Sequence, residues 1–278
     1  MTDGSDQDEQ QTDICDLRTV QRIASLLDLD PSEWKTGDML PRGWHFPFFI
    51  AATRQSTLPE DGFPPITEPG IETPANARVM LGGRRAEFIG DIAIGQSIRR
   101  VRKVVDVSSR SARSGVLTIV TRRHDIYAGG DNKPCIIEHE DMIYRAPSPA
   151  AAETSAAPQA EPASPNKPSG EIYSPDPTAL FRYSALTFNA HRIHYDSEYA
   201  IEAEGYPGLV VNGGLTALVL LQLFRRETGQ APAQVATRNR APLFCGQPAT
   251  LNMERQGEAW RLWASNPSGA PAIEMVAR

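Results

Sequence analysis

The densest run of side chains able to move protons is Tyr183-Ser184-Ala185-Leu186-Thr187-Phe188-Asn189-Ala190-His191-Arg192-Ile193-His194-Tyr195-Asp196, in which His194 stands five places after Asn189. A neutral imidazole on a loop can take a proton from water, and an amide beside it can hold that water in place. A lone histidine is more often a hydrogen-bonded core residue, so His194 alone decides nothing. The next cluster bears on it. Gly205-Tyr206-Pro207-Gly208-Leu209-Val210-Val211-Asn212-Gly213-Gly214-Leu215 leads into a strongly apolar segment. A Gly-Gly pair opening a buried helix presents backbone N–H groups at its positive end, which suits a developing oxyanion. The same glycines would equally permit close helix–sheet packing.

The element that must position those N–H groups is a helix over Gly213–Thr228. Its apolar residues cover nearly the whole circumference, the pattern of a buried helix. Asn212 is placed to cap its start, and Gly229, after Arg225 and Arg226, to stop it. Four short strands are expected behind it, at 235–243, 249–255, 259–265 and 272–276. A greasy helix beside antiparallel strands predicts α+β architecture, with a sheet curled around the helix. Upstream, the spacing of Leu17, Val20, Ile23, Ala24 and Leu27 predicts a helix over 17–29. Residues 41–74, rich in Pro and aromatics, read as an irregular cover. Strands follow at 99–107, 115–127 and 134–144, the last two joined by a turn at Gly129-Gly130-Asp131-Asn132.

Composition bounds the function. The net charge of -6 comes from the first 16 residues, which carry six acids and no base. They read as a disordered acidic tail (1–16). The remainder is neutral, which argues against nucleic acid as a partner. The longest apolar run, 215–224, is too short to span a bilayer. Three cysteines, with no CxxC or Cys/His spacing, predict neither a disulfide framework nor a metal site. No signal peptide is visible, so a cytoplasmic protein is expected. Residues 147–170 hold six Pro, seven Ala and four Ser, a composition that cannot bury enough surface to order itself. This linker divides the chain into 17–146 and 171–278.

At the chemistry-bearing residues a resemblance enters. Thr187 to Asp196 resembles the hydratase motif of MaoC-type hot-dog proteins, an Asp or Asn, then His five places on, then a nearby Asp. Asn212-Gly213-Gly214-Leu215-Thr216 resembles the segment that opens the family's central helix, where His commonly precedes the first Gly. Ala241-Pro242-Leu243-Phe244-Cys245-Gly246-Gln247 resembles a strand-and-turn element that ends in Gly-Asp in many members. Leu81-Gly82-Gly83-Arg84-Arg85-Ala86-Glu87-Phe88, Arg113-Ser114-Gly115 and Glu140-Asp141-Met142-Ile143-Tyr144-Arg145 resemble the non-catalytic first hot dog of two-domain thioester dehydratases. That subgroup includes mesaconyl-C4-CoA hydratases and is similar to type 2 hydroxyacyl-thioester dehydratases.

The resemblance implies two hot dogs in one chain, 17–146 non-catalytic and 171–278 catalytic. It implies reversible addition of water across a 2,3-enoyl thioester. His194 would deprotonate the water, Asn189 would orient it, and the N–H of Gly213, with Gly214, would hold the enolate oxygen. No metal or redox cofactor is implied, CoA being part of the substrate. Arg84, Arg85, Arg192, Arg238 and Arg240 are candidates to meet the phosphates of CoA or a second acyl carboxylate. The expected partner is an acyl-CoA, with neither membrane nor nucleic acid, and chains of this kind often dimerise. The substrate stays open between a mesaconyl-type dicarboxylate and a fatty 3-hydroxyacyl thioester. A silent thioester-binding protein is the further alternative, since Asn189 stands at the place of the usual acid.

Overall fold

The computed structural model describes residues 9–64, 71, 77–112, 115–145 and 170–278. The expected linker lies outside these residues apart from Gly170, as do Arg113 and Ser114. The chain runs β1 (Glu9–Ile14), α1 (Leu17–Leu26), β2 (Arg78–Phe88), β3 (Ser97–Ala112), β4 (Gly115–Ala128) and β5 (Ile136–Arg145). It continues as β6 (Glu171–Tyr173), α2 (Pro177–Leu186), α3 (Ser197–Glu202), α4 (Gly213–Thr228), β7 (Gln234–Asn239), β8 (Ala249–Gln256), β9 (Ala259–Ser265) and β10 (Pro271–Ala277). All ten strands join one antiparallel sheet in the order β1-β3-β4-β5-β2-β7-β10-β9-β8-β6. The order is its own mirror image. Each half contributes five strands in the same sequence of turns, and the halves meet where β2 pairs with β7.

The seam is tight. A side chain at Gly83 would run into the carbonyl of Thr237, so β2 and β7 approach closely there because β2 carries glycine. Along β9 and β10 alternate residues face α4. On β10, Ile273, Met275 and Ala277 are buried in the same core as Leu215, Leu218, Leu220 and Phe224 of α4. Burial all round α4 makes the hydrophobic effect its main stabiliser, at about 25 cal/mol per Å² of apolar surface removed from water.

Several expectations change. Of the expected disordered tail at 1–16, residues 1–8 lie outside the described residues, and Glu9–Ile14 forms β1 against β3. Two of its acids find partners: Glu9 lies 2.5 Å from Arg102 across that ladder, and Asp13 accepts the backbone N–H of Phe49 at 2.8 Å. The expected helix over 17–29 ends at Leu26, and the strand at 235–243 ends at Asn239. The strand β2 was hidden by its Gly and Arg residues, which break the apolar alternation. Within the described part of 41–74 there are turns and one 3-10 turn, in keeping with an irregular cover. No described helix is long and apolar enough to cross a membrane.

Candidate active site

Helix α2 delivers the site loop through its own terminus. The N–H of Asn189 bonds to the carbonyl of Ser184 at 2.8 Å, and that of Phe188 to Ala185 at 3.4 Å, the paired bonds of a Schellman stop. Phe188 occupies the left-handed position (φ 49°) that usually belongs to glycine, at a cost of about 1 kcal/mol. Asn189 then turns the chain again, its Oδ1 accepting the N–H of His191 at 3.0 Å. A one-turn 3-10 helix, Arg192–His194, follows and buries His194.

The His194 ring is anchored on one side. Its Nδ1 lies 2.8 Å from the carbonyl of Val210, an oxygen that can only accept, so Nδ1 carries the proton and Nε2 is the bare acceptor of the neutral ring. Burial pulls the His194 pKa down to about 4, the Val210 bond opposing and the neighbouring His191 ring adding to the fall. His194 therefore stands neutral at neutral pH, the form in which Nε2 can take a proton. Val210 also donates its N–H to Ile193 at 2.9 Å. Two bonds thus clamp the histidine loop to the segment that enters α4.

At that entry, the first bond back along the chain runs from the N–H of Thr216 to the carbonyl of Asn212. The N–H groups of Gly213 and Gly214 precede it and have no acceptor within the helix. Asn212 occupies the cap position but makes no capping bond, and both ends of its buried side chain lack partners. The expected side-chain cap is therefore absent, which leaves the first-turn N–H groups for something else. Gly229 does terminate α4, at φ 67°. The third sequence element closes the arrangement, with Val211 donating to Leu243 at 2.8 Å and Cys245 to Leu209 at 2.9 Å.

Two groups at the site carried little sequence signal. His191 packs edge-on to His194, ring centroids 5.5 Å apart, and burial lowers its pKa. It lies inside the motif, but only the fold turns its ring toward its neighbour. Tyr183 stacks on Phe46 at 5.6 Å, and its buried hydroxyl, with a pKa pushed up to about 12 by desolvation, abuts Gly214.

The first half also reaches over the site. The backbone carbonyl of Asp61 accepts the N–H of Arg192 at 2.8 Å, that of Glu60 accepts from Nη1 of Arg192 at 3.3 Å, and the ring of Phe63 lies 5.2 Å from that of His191. Between them Gly62, at φ +75°, sits directly against the carbonyl of Ala190, where a Cβ has no room. Gly62→Ala is expected to push this strap off the histidine loop. We expect a stability loss of about 1–3 kcal/mol with a fall in activity, read by thermal melting beside a rate assay. An unchanged melting point and rate would show that the strap is dispensable.

The candidate arginines separate. Arg84 faces α4's side of the sheet and bonds to Glu140. Arg85 alternates to the opposite face and pairs with Asp141 at 2.6 Å. Arg238, opposite Gly83, is exposed and has no ion pair among the described residues, whereas Arg240 pairs with Glu274 at 2.6 Å. Arg192 is occupied by Asp196 at 2.8 Å and lies over the ring of Tyr199. The fold thus ties the loop that carries Asn189, Arg192 and His194 to the segment opening α4 at Gly213 and Gly214, keeps Arg84 on the α4 side of the sheet, and holds Arg85 and Arg240 in ion pairs with Asp141 and Glu274.

The sequence profile of hydroxyacyl-thioester dehydratase type 2 matches residues 43–245. The chain belongs to this family. It is accordingly a hydro-lyase of the hydratase/dehydratase type. It is 38% identical over 273 residues to the mesaconyl-C(4)-CoA hydratase of Chloroflexus aurantiacus, covering 94% of this chain and 91% of that one. It is 26% identical over 249 residues to the mitochondrial hydroxyacyl-thioester dehydratase type 2 of Schizosaccharomyces pombe, covering 80% of each. Among solved structures, the chain is similar to HtdX of Mycobacterium tuberculosis, with a TM-score of 0.65, 16% identity and coverage of 96% and 98%. A second M. tuberculosis protein, described as a double hotdog fold, matches with a TM-score of 0.57, 14% identity and coverage of 100% and 96%. The mirrored sheet is therefore a double hot dog, two antiparallel sheets joined edge to edge at the β2–β7 seam.

Proposed function

We propose that the chain hydrates a mesaconyl-type dicarboxylic enoyl-CoA, mesaconyl-C4-CoA to citramalyl-CoA, from a site carried by residues 171–278, with 17–146 as the non-catalytic half. The observation that carries the chemistry is the neutral, anchored His194, whose bare Nε2 is clamped through Val210 to the unpaired N–H groups opening α4. The identity of 38% over most of both chains supports the acyl group.

Nε2 of His194 takes a proton from water as its oxygen bonds to C3. The displaced π electrons move through C2 to the thioester oxygen, where the N–H of Gly213, with that of Gly214, holds the negative charge. Collapse of the enolate then draws a proton onto C2, and His194, now an imidazolium with a low pKa, is well suited to return it. Asn189 gives one lone pair of Oδ1 to the His191 N–H, so the second lone pair and the amide N–H₂ remain to steer the water. The residues in these roles need no metal or redox cofactor. Arg238, exposed and without an ion pair among the described residues, is left to meet the phosphates of CoA.

A fatty 3-hydroxyacyl-thioester dehydratase is the second reading, favoured by the family profile and the 26% relative. Hydration of mesaconyl-C4-CoA and of crotonyl-CoA, followed side by side by loss of enoyl absorbance, separates the two. Preferred turnover of the dicarboxylate is expected. Preferred turnover of crotonyl-CoA would move the assignment to the fatty type, and turnover of neither by folded protein would indicate a thioester-binding protein.

A further inference from the structure

The sheet repeats itself about the β2–β7 seam, but the halves fill their concave faces differently. Beneath α4, one row of paired residues across β10, β9 and β8 reads Met275, Leu262, Met253. Its continuation across β2, β5 and β4 reads Arg84, Glu140, Arg122. The inward positions of β5 run Ile136, Glu138, Glu140, Met142, Tyr144, so two acids sit mid-strand between apolar neighbours. His124 of β4 approaches Glu140, at 3.8 Å. His45, from the turns of 42–47, reaches Glu138 at 3.1 Å. Burying an ion costs several kcal/mol even when it is paired. The sister half fills the same row with methionine and leucine, so the charges are not there because the fold requires them.

Further features give this face a sign. Arg84 places both Nε and Nη2 on one oxygen of Glu140, at 3.0 and 2.6 Å, which leaves Nη1 without a partner among the described residues. The Arg84 side chain also keeps 35% of its surface open. Arg100 of β3, largely buried and facing the same way, is held by neutral acceptors only, the side chain of Gln11 and the carbonyl of Phe49. The buried rings of His45 and His124 each keep Nδ1 without a hydrogen bond. The charge of Arg84 opposes the rise of the Tyr183 pKa that burial causes, and Tyr183 abuts Gly214 at the start of α4.

We propose that this charged face of the first half is the subsite for a carboxylate at the far end of the acyl chain, with Arg84 as its specificity-determining residue. The inference rests on the dicarboxylate reading above and supplies the groups that would recognise it. A fatty chain laid along this face would bury the open edge of a guanidinium against methylenes, an uncompensated loss. A carboxylate there completes the Arg84 fork with a charge-assisted bond. Glu138 and Glu140 position Arg84 and do not touch the substrate.

Succinyl-CoA and butyryl-CoA have the same chain length and differ in the terminal carboxylate, and neither has a 2,3 double bond to hydrate. Their binding to the full chain by titration calorimetry tests the subsite without turnover. The wild type is expected to bind succinyl-CoA at least about tenfold more tightly, the worth of one charge-assisted bond. Arg84→Gln should abolish the preference, and Arg84→Lys should reduce it several-fold because an ammonium cannot form the fork. If Arg84→Gln fails to fold, Arg84→Lys reads the same ratio. Equal binding by the wild type, or a preference that survives both substitutions, overturns the proposal. A succinyl-CoA preference without mesaconyl-C4-CoA turnover would keep the subsite and remove the hydration reading.

Discussion

Replacing His194 by Gln is expected to lower kcat for enoyl-CoA hydration by about 10²–10⁴-fold, the usual worth of a positioned general base. Gln keeps a polar group near the Val210 carbonyl and cannot accept the water's proton. The effect should fall on kcat more than on KM, because Nε2 acts on the water rather than on the thioester. The wild-type pH profile should also report the unusual state of this ring. Burial holds His194 near 4, so the acidic limb of activity should lie close to pH 4 and not near 6.5. The linkage has a definite sign. A histidine kept neutral in the folded protein and titrating near 6.5 when unfolded contributes stability that is complete above pH 6.5 and lost as pH falls towards 4. The size of that loss is about 3 kcal/mol, and His194→Gln should remove it from the pH dependence of urea unfolding. A limb at pH 6.5, or an unfolding slope unchanged in the variant, would mean the ring is solvated and charged.

Gly214→Ala should be the most damaging change of a single methyl group. An added Cβ would collide with the Tyr183 hydroxyl, which is buried and pinned by the stacking of its ring on Phe46. Neither group can give way freely, so the start of α4 must move. Removal of one oxyanion donor typically costs about 10²–10³-fold in rate, and we expect a loss of that order here. A stability loss of about 1–3 kcal/mol should accompany it. The double variant Gly214→Ala with Tyr183→Phe separates the causes. If the clash acts through the hydroxyl, much of the rate returns, and a double variant as slow as the single one would place the fault in the ring itself, whose Cζ lies 2.9 Å from the added Cβ, or in the backbone at residue 214.

How much of this was legible beforehand differs between the two halves. In the second half the helix Gly213–Thr228, its stop at Gly229 and the strand Ala259–Ser265 were readable because burial there follows simple periodicity and simple end signals. In the first half the strand β2 was not readable. Its Gly82-Gly83-Arg84-Arg85 core lacks apolar alternation, and its place is set by pairing on both sides, with β5 and β7. The strand β1 was missed for a related reason: its polar residues, Glu9 and Asp13 among them, look solvated until Arg99, Arg100 and Arg102 of β3 lie opposite the strand.

For the site, the residue types and the order of three short motifs were enough to nominate Asn189, His194 and Gly213, because local chemistry and spacing are written along the chain. Sequence alone could not tell which histidine nitrogen is bare, since that depends on a carbonyl sixteen residues away. Nor could it show that the capping bond expected of Asn212 is unmade, or that Gly62 from the other half lies on the histidine loop. It could not sort five arginines either. Strand alternation and cross-strand pairing turn Arg84 toward the α4 side of the sheet and Arg85 away from it, one residue apart. Residue identity and local periodicity determined the helix, the hot-dog motif and the choice of Asn189 and His194 as candidates. Tertiary structure decided burial, tautomer and facing, because desolvation and the choice of partner arise only when segments far apart in the chain are packed together.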